Sequence, residues 1–461
     1  MINFDYRGLT GQVVTKDDFE YEEERKAWNR AIEKYPLVIV YCETEEDIRN
    51  AIMFAKANSL SIRIRSGRHH YEGYSTGNDL VVIDISKMNK IYIDEKNETV
   101  KVQGGTRNRE LYEATGKMGY PFPGGGCPTV GVAAFTLGGG WGYSARLLGL
   151  GCDRLVEAEL IDSNGNLIVC NKDVNEDLFW ALRGCGGGNF GIVTSMTFNL
   201  PPKIEMATLV NIDFTNIDFE ENISLIEAWQ EKYKFLDKRA NFKMAIYNSS
   251  EKGRGVKIIG LVYGDKKLAN NVLKPIRDIV TTGTYSLKYM TVLEANRIIQ
   301  DSHPEYEKYK SSGNFVYRDY NREEIIELLN LIEERAEGAV YTAITFYGLG
   351  GVIKEVKKDS TAFYHRDANF ILGFQSVWEE AKYAQINRSW VVEKLKYIKS
   401  ITKGSFVNFP CAEIDDYEVE YYGENSMLLK KIKEKYDKDD FFNFEQDIRI
   451  EKKLWYNILV E

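Results

Sequence analysis

The stretch Asp177-Leu178-Phe179-Trp180-Ala181-Leu182-Arg183-Gly184-Cys185-Gly186-Gly187-Gly188-Asn189-Phe190-Gly191-Ile192-Val193-Thr194-Ser195 decides how the first half of this chain is read. Within it, Gly186 to Gly191 spells the pattern G-x-G-x-x-G. A dinucleotide fingerprint needs a strand before those glycines and a helix after them, because the helix N-terminus holds the pyrophosphate. Here the order is reversed, with a short helix over 177–183 and a strand over 192–198. A nicotinamide-binding Rossmann unit is therefore disfavoured. Close approach of bare main chain to another cofactor stays open.

Upstream, the runs 157–161 and 167–170 flank Ser163-Asn164-Gly165-Asn166, and an Asn-Gly between apolar runs predicts a hairpin. Short strands at 80–83, 90–93 and 100–102, parted by polar turns, predict a β-rich region. The first 65 residues read as an α/β unit. It comprises a helix over 22–34, a strand over 37–41, a helix opened by Thr44 with Ile48 and Ile52 on one face, and a strand over 61–65.

Downstream, Pro201-Pro202 breaks the pattern. Strands are expected at 206–214, 243–247, 256–262, 341–347 and 370–377. They alternate with helices carrying Ile223, Ile226 and Trp229, or Ile325, Leu328, Leu329 and Ile332. Residues 203 to about 400 thus read as an antiparallel sheet with helices on one face.

The chain has 461 residues, 44% hydrophobic and 28% charged, so two folded units are expected. With 60 Lys+Arg against 69 Asp+Glu the net charge is −9, which argues against nucleic acid or an anionic membrane as the main partner. No run approaches the roughly 18–20 apolar residues of a membrane span, and Met1-Ile2-Asn3-Phe4-Asp5-Tyr6-Arg7 lacks the order of a signal peptide. A cytoplasmic location is the default expectation. The 6 cysteines are too sparse for a disulfide framework, and none forms a C-x-x-C pair.

Chemistry concentrates in glycine-rich loops. In Arg65-Ser66-Gly67-Arg68-His69-His70-Tyr71-Glu72-Gly73-Tyr74-Ser75, backbone N–H groups and arginines beside a glycine turn suit a phosphate, although a basic turn with two solvated histidines reads equally well. The second loop runs from Gly124 to Tyr143 and includes Gly126, Cys127, Thr129, Val130, Gly131, Gly138, Gly139, Gly140, Trp141 and Gly142. So many small residues let main chain lie against a flat ring system. Its cysteine is either an apolar filler or a nucleophile held at that ring. His69, His70 and Cys127 are zinc-type ligands, yet adjacent histidines on an extended segment point apart and no further ligand completes a tetrahedral set, so no metal is expected. Neither a G-x-S-x-G elbow nor a Walker lysine motif occurs.

Taken together these motifs resemble the vanillyl-alcohol-oxidase or p-cresol-methylhydroxylase type flavoproteins, and among them the berberine-bridge-enzyme-like branch that includes glucooligosaccharide oxidase. Further matching segments are Gly125-Gly126-Cys127-Pro128-Thr129-Val130-Gly131-Val132, Thr361-Ala362-Phe363 with His365-Arg366-Asp367, Tyr421-Tyr422-Gly423 with Asn425, and Phe441-Phe442-Asn443-Phe444 with Gln446. The resemblance implies an α+β fold, with a two-subdomain FAD-binding domain over 1–202, a substrate domain over 203–400, and a segment over 401–461 that returns to the first domain.

It also implies a bicovalent FAD, bonded at its 8α-methyl group to a residue like His69 and at ring carbon 6 to one like Cys127. Cofactor contacts are implied at Arg65, Ser66, Gly67, Arg68, His70, Gly126, Thr129, Val130, Gly131, Gly138, Gly139, Gly140, Trp141, Gly142, Gly191, Ile192, Val193, Tyr422 and Asn443. The implied reaction is hydride transfer from a hydroxyl-bearing small molecule, a carbohydrate or secondary metabolite, to flavin N5. Molecular oxygen is the implied acceptor, and Val130 is the small side chain associated with its access.

One departure touches the chemistry. The tyrosine that commonly serves as base in Tyr-x-Asn-Tyr is absent from Phe406-Val407-Asn408-Phe409, and phenylalanine accepts no proton. Tyr71, Tyr143 and Gln375 are the replacement candidates, with Tyr71 preferred. Ile371, Gly373 and Gln375 share one face of their strand. A dehydrogenase with another acceptor, and a flavin-loaded binding protein with little turnover, are the competing readings.

Overall fold

The computed structural model describes residues 4–280 and 282–450. Its strands form three sheets. The first contains β1 (Gln12–Thr15), β2 (Val38–Tyr41), β3 (Ile62–Arg65) and β4 (Val81–Asp84) in the order β1-β2-β4-β3, with β4 parallel to both β2 and β3. The helix Glu45–Ala57 packs on this sheet through Ile48, Ala51 and Ile52. Its start is fixed by a capping box in which Thr44 and Asp47 satisfy each other's backbone N–H groups. The run expected to open a separate β-rich region, 80–83, instead joins this mixed sheet as β4, parallel to both neighbours, because its uninterrupted apolar residues are buried on both faces.

The second sheet is antiparallel: β5 (Ile91–Asp94), β6 (Thr99–Gln103), β7 (Leu155–Ile161), β8 (Leu167–Asn171) and β9 (Ile192–Asn199) in the order β5-β6-β9-β7-β8. The Asn164-Gly165 hairpin joins β7 to β8, with Gly165 at φ +80°. Helix Glu176–Ala181 precedes the third glycine loop and β9 follows it, so the inverted fingerprint order is the one present.

The third sheet contains β10 (Met206–Thr215), β11 (Ala240–Ser249), β12 (Gly253–Val262), β13 (Thr284–Thr291), β14 (Lys308–Val316), β15 (Ala339–Gly348) and β16 (Phe370–Trp378). All are antiparallel, in the order β13-β10-β12-β11-β15-β16-β14. Helices Phe219–Lys234, Arg322–Asn330 and Ala384–Ile401 cover one face, packing Trp229, Leu328 and Leu395 into a core with Ile212, Phe346 and Phe374. The architecture is α+β.

Two sequence expectations fail for the same reason. The helix expected over 22–34 shrinks to Tyr21–Glu24, because backbone N–H groups beyond it bond to distant chain. The Trp28 N–H donates to the Arg68 carbonyl at 2.9 Å and the Arg30 N–H to the Glu307 carbonyl at 2.7 Å. Strand β14 was not expected at all, since Lys310, Ser311, Ser312 and Asn314 give it no apolar pattern. Its longest polar side chains are buried and matched elsewhere, Lys310 Nζ donating to both Glu72 and Glu413 at 2.6 Å and Asn314 Nδ2 donating to Ser405 Oγ at 3.0 Å.

The C-terminal segment locks the third glycine loop. The Lys433 ammonium, fully buried, donates at 2.7 Å to the carbonyls of Asn189 and Phe442 and to the Asp437 carboxylate. Among the described residues no helix is long and apolar enough to cross a membrane.

Candidate functional site

A cavity of about 570 Å³ lies between the three glycine loops and the uncovered face of the third sheet. The loop side is built from main chain. Backbone N–H groups of residues 66–71 find no acceptor among the described residues, so consecutive donors border the cavity. Gly67 permits this closeness: a Cβ there would lie 2.4 Å from the Gly131 nitrogen, and only hydrogen lets the first two loops abut.

The arginines expected to bind phosphate from this loop are committed elsewhere. Arg65 does not reach the cavity. Its guanidinium pairs with Asp84 at 2.6 Å, donates to the Glu24 carbonyl and the Tyr41 hydroxyl, and is 1% exposed. Arg68, held at φ +63°, borders the cavity, but its guanidinium bonds to Glu24 and Tyr41. A parallel strand's buried arginine needs a carboxylate beside it, and β4 supplies Asp84 in register.

His69 and Cys127 meet across this junction. His69 Nε2 lies 2.7 Å from Thr129 Oγ1 and 3.9 Å from Cys127 Sγ, and the ring stacks on Trp28 with centroids 4.9 Å apart. Nδ1 makes no hydrogen bond among the described residues. Burial, helped by Arg107 and His303, lowers the His69 pKa to about 3, so its imidazole is neutral near pH 7. Cys127 alone among the free cysteines of the described residues is not fully buried. Burial raises its thiol, while the Thr129 and Val130 amides pull the other way. His70 has different neighbours: its ring lies 4.7 Å from that of Tyr74, and burial lowers it to about 3.

In the second loop Gly126, Val130, Gly131, Trp141 and Tyr143 border the cavity, and Trp141 Nε1 donates to the Gly348 carbonyl at 2.7 Å. Thr129 touches His69 but not the cavity. Gly138, Gly139, Gly140 and Gly142, expected at the cofactor, do not border it. The space their side chains would fill is taken by Asn408, Phe363, Phe135 and the Gly124 carbonyl, so their smallness serves internal packing.

The third loop does present bare backbone. A Cβ on Gly187 would meet nothing nearer than 3.8 Å, and Gly191 and Val193 border the cavity beside it. Ile192, also expected there, turns into the core under the first sheet, as strand alternation requires once Val193 faces the cavity. Tyr422 borders the cavity and donates to the Cys185 carbonyl at 2.7 Å, and Asn443 borders it from the C-terminal segment.

The opposite wall is built from side chains at period two. Lys243 and Ala245 of β11, Lys257 and Ile259 of β12, Thr345 and Tyr347 of β15, Gln375 of β16 and Tyr309 of β14 all face in. Tyr71 stacks on Phe409 at 5.2 Å and 6° and meets Tyr309 edge-on at 5.1 Å. The hydroxyls of Tyr71, Tyr143, Tyr309, Tyr341 and Tyr347 have no hydrogen-bond partner among the described residues. Burial raises each phenol, Tyr71 well above the usual value, so each is a neutral hydroxyl near pH 7. Burial, with Lys257 nearby, lowers Lys243 to about 8, while it raises Glu307.

Sequence reasoning missed Trp28, Lys243, Lys257, His303, Glu307, Tyr309, Tyr341 and Tyr347. Parity along the expected strands would have found Lys243, Lys257, Tyr341 and Tyr347, since each shares a face with its strand's other inward residues. Trp28, His303 and Glu307 lie outside regular elements and carried no signal.

A family model described as FAD binding domain matches residues 36–171, and one described as berberine and berberine like matches residues 405–449. The chain is 33% identical over 445 residues to the uncharacterized FAD-linked oxidoreductase YgaK of Bacillus subtilis, covering 95% of this chain and 97% of that protein. It belongs to the berberine-bridge-enzyme-like family of FAD-linked oxidoreductases. The fold of the family is seen in Physcomitrella patens BBE-like 1, at TM-score 0.87 and 24% identity over 96% of this chain and 98% of that one. Xylooligosaccharide oxidase from Myceliophthora thermophila C1, solved with xylobiose, matches at TM-score 0.86 and 20% identity over 96% and 98%. The residues here fit the FAD of a berberine-bridge-enzyme-like protein. Unsatisfied N–H groups at 66–71 suit a pyrophosphate, and the bare backbone at Gly187 leaves room for a ring system.

Proposed function

We propose that this protein oxidises a hydroxyl group of a small hydroxylated compound, a carbohydrate or a secondary metabolite, using FAD bonded to both His69 and Cys127, with oxygen as the final acceptor. The observation that carries this reading is the cavity's two unlike walls. One combines anion-binding backbone with a neutral imidazole and a half-exposed thiol, and the other offers unpartnered hydroxyls, Gln375 and lysines.

His69 suits a bond to carbon in the tautomer that donates Nε2–H to Thr129 Oγ1, which leaves the Nδ1 lone pair available. Trp28 fixes the ring plane by stacking. Bound FAD would take the hydride of the carbinol carbon, and its two electrons would leave to oxygen as hydrogen peroxide. Tyr71, held between Phe409 and Tyr309, is proposed to orient the substrate hydroxyl through its own neutral hydroxyl; Gln375 and Tyr143 are proposed to bind neighbouring hydroxyls. Val130 beside Cys127 is proposed to keep a path for oxygen. On this reading residues 1–202 with 401–461 hold the cofactor and 203–400 roof it.

The test is peptide mass mapping of the yellow holoprotein. Flavin mass on both the His69 and the Cys127 peptides is expected, and Cys127→Ala should keep flavin on His69 alone. Flavin released quantitatively by acid from the wild type would overturn the covalent reading.

A further inference from the structure

Among the described residues the two buried lysines are neutralised by their own protein. Lys310 sits between Glu72 and Glu413, and Lys433 on Asp437. The half-buried lysines on the inner face of the third sheet differ. Lys243 and Lys257 border the cavity, and neither forms an ion pair among the described residues. The carboxylate nearest Lys257 in register is Asp213 on β10, which is 3.6 Å from Lys252 and accepts from the Tyr247 hydroxyl at 2.9 Å. Glu307 also lines the cavity near Lys243 without pairing to it, and His303 beside them is neutral.

The register makes the two lysines neighbours. Lys257 pairs with Ala245 and Lys243 with Ile259, so their side chains are diagonal on one face of adjacent strands. Like charges so placed repel, and burial adds a cost that a methionine at either position would not carry. Across the same face, Tyr347 lies opposite Lys243 on β15, and Gln375 is one strand further on β16. Gln375 is in register with Ala343, four residues along from the Lys243–Tyr347 pair, so at roughly 4.8 Å per strand and 3.4 Å per residue it stands about 16 Å from Lys243, and Tyr347 is the hydroxyl that adjoins the lysines. That arrangement suits one small molecule carrying an acid beside its hydroxyls.

We infer that the substrate is a hydroxylated carboxylic acid of the sugar-acid class, its carboxylate seated between Lys243 and Lys257 and its hydroxyls reaching Tyr347. This rests on the preceding reading that the cavity beyond the cofactor takes a hydroxylated compound. The carboxylate supplies the counter-ion that the fold withholds, and hydrogen bonds to a charged group are stronger than those a neutral sugar would make.

The experiment uses anaerobic holoprotein and matched pairs: D-glucose with D-glucuronate, and cellobiose with cellobiouronate. Flavin bleaching and flavin spectral shift are both read against ligand concentration. The acid of each pair should act at roughly ten- to hundredfold lower concentration, the weight of a hydrogen bond to a charged group. High salt and the K243M/K257M variant should abolish that advantage with flavin content unchanged, and K243Q and K257Q serve should the double variant fold poorly. Equal response to acid and neutral partners overturns the inference. Neutral sugars that bleach best leave the oxidation reading standing and remove this one. An acid that shifts the spectrum while nothing bleaches does the reverse, and a panel with neither response removes both.

Discussion

The two walls of the cavity differ in what they are made of. The loop wall is main chain: N–H groups of residues 66–71, bare Gly187, and glycines that let loops touch. The sheet wall is side chains from five strands, at alternating positions along β11, β12 and β15 with Gln375 of β16 and Tyr309 of β14. Backbone cannot be altered by substitution except through glycine, so the loop wall is written in contiguous motifs that bind one cofactor. Side chains on a fixed sheet are exchangeable without disturbing the ladder, so the sheet wall is free to set the substrate.

The largest test of that contrast is Tyr71→Phe, because Tyr71 stands on a glycine loop but faces the sheet. Losing its hydroxyl should slow anaerobic flavin reduction by roughly 10²-fold, the usual weight of a group that positions the reacting atoms, with flavin content intact. Reduction at the wild-type rate would remove Tyr71 from the chemistry and leave the sheet wall to position the hydroxyl.

Arg65→Met sharpens the same line from the other side. If Arg65 holds the first sheet through Asp84 rather than the cofactor, breaking the buried pair should cost about 3–5 kcal/mol in denaturant unfolding, while folded protein still carries flavin. Full stability with lost flavin would return Arg65 to the cofactor.

The smallest effect is a pH dependence. Lys243 is lowered to about 8 by burial and by Lys257, with His303 and Glu307 facing it and the Tyr347 ring 5.9 Å from its Nζ. A depressed lysine keeps its charge below that value and loses it above. Preference for an acid over its neutral partner should therefore hold near pH 7 and weaken severalfold by about pH 9, as the ammonium is lost. Glucuronate titrations of the flavin spectrum at both pH values measure it, and a preference that grows with pH would contradict the assignment.

Legibility followed the same division. The inverted fingerprint at Gly186 to Gly191, the Asn164-Gly165 hairpin and the Thr44 cap could be read because each is complete within a few residues. Strand β14 could not, since Lys310 and Asn314 find Glu72, Glu413 and Ser405 only after folding. The glycines at 138–142 misled for a related reason: smallness looks the same whether a ligand or Phe135 and Phe363 fills the space.

The sequence by itself determined where strands, helices and bare glycine loops fall, because glycine spacing and strand alternation are local consequences of backbone sterics, and the resemblance of its motifs supplied the berberine-bridge-enzyme-like kind of flavoprotein. Only the tertiary structure decided that Arg65 belongs to Asp84, that Thr129 holds His69 toward Cys127, and that Lys243 and Lys257 stand side by side with no ion pair among the described residues. Those facts depend on which distant segments share a few ångströms, and electrostatic pairing acts through that distance and not through separation along the chain.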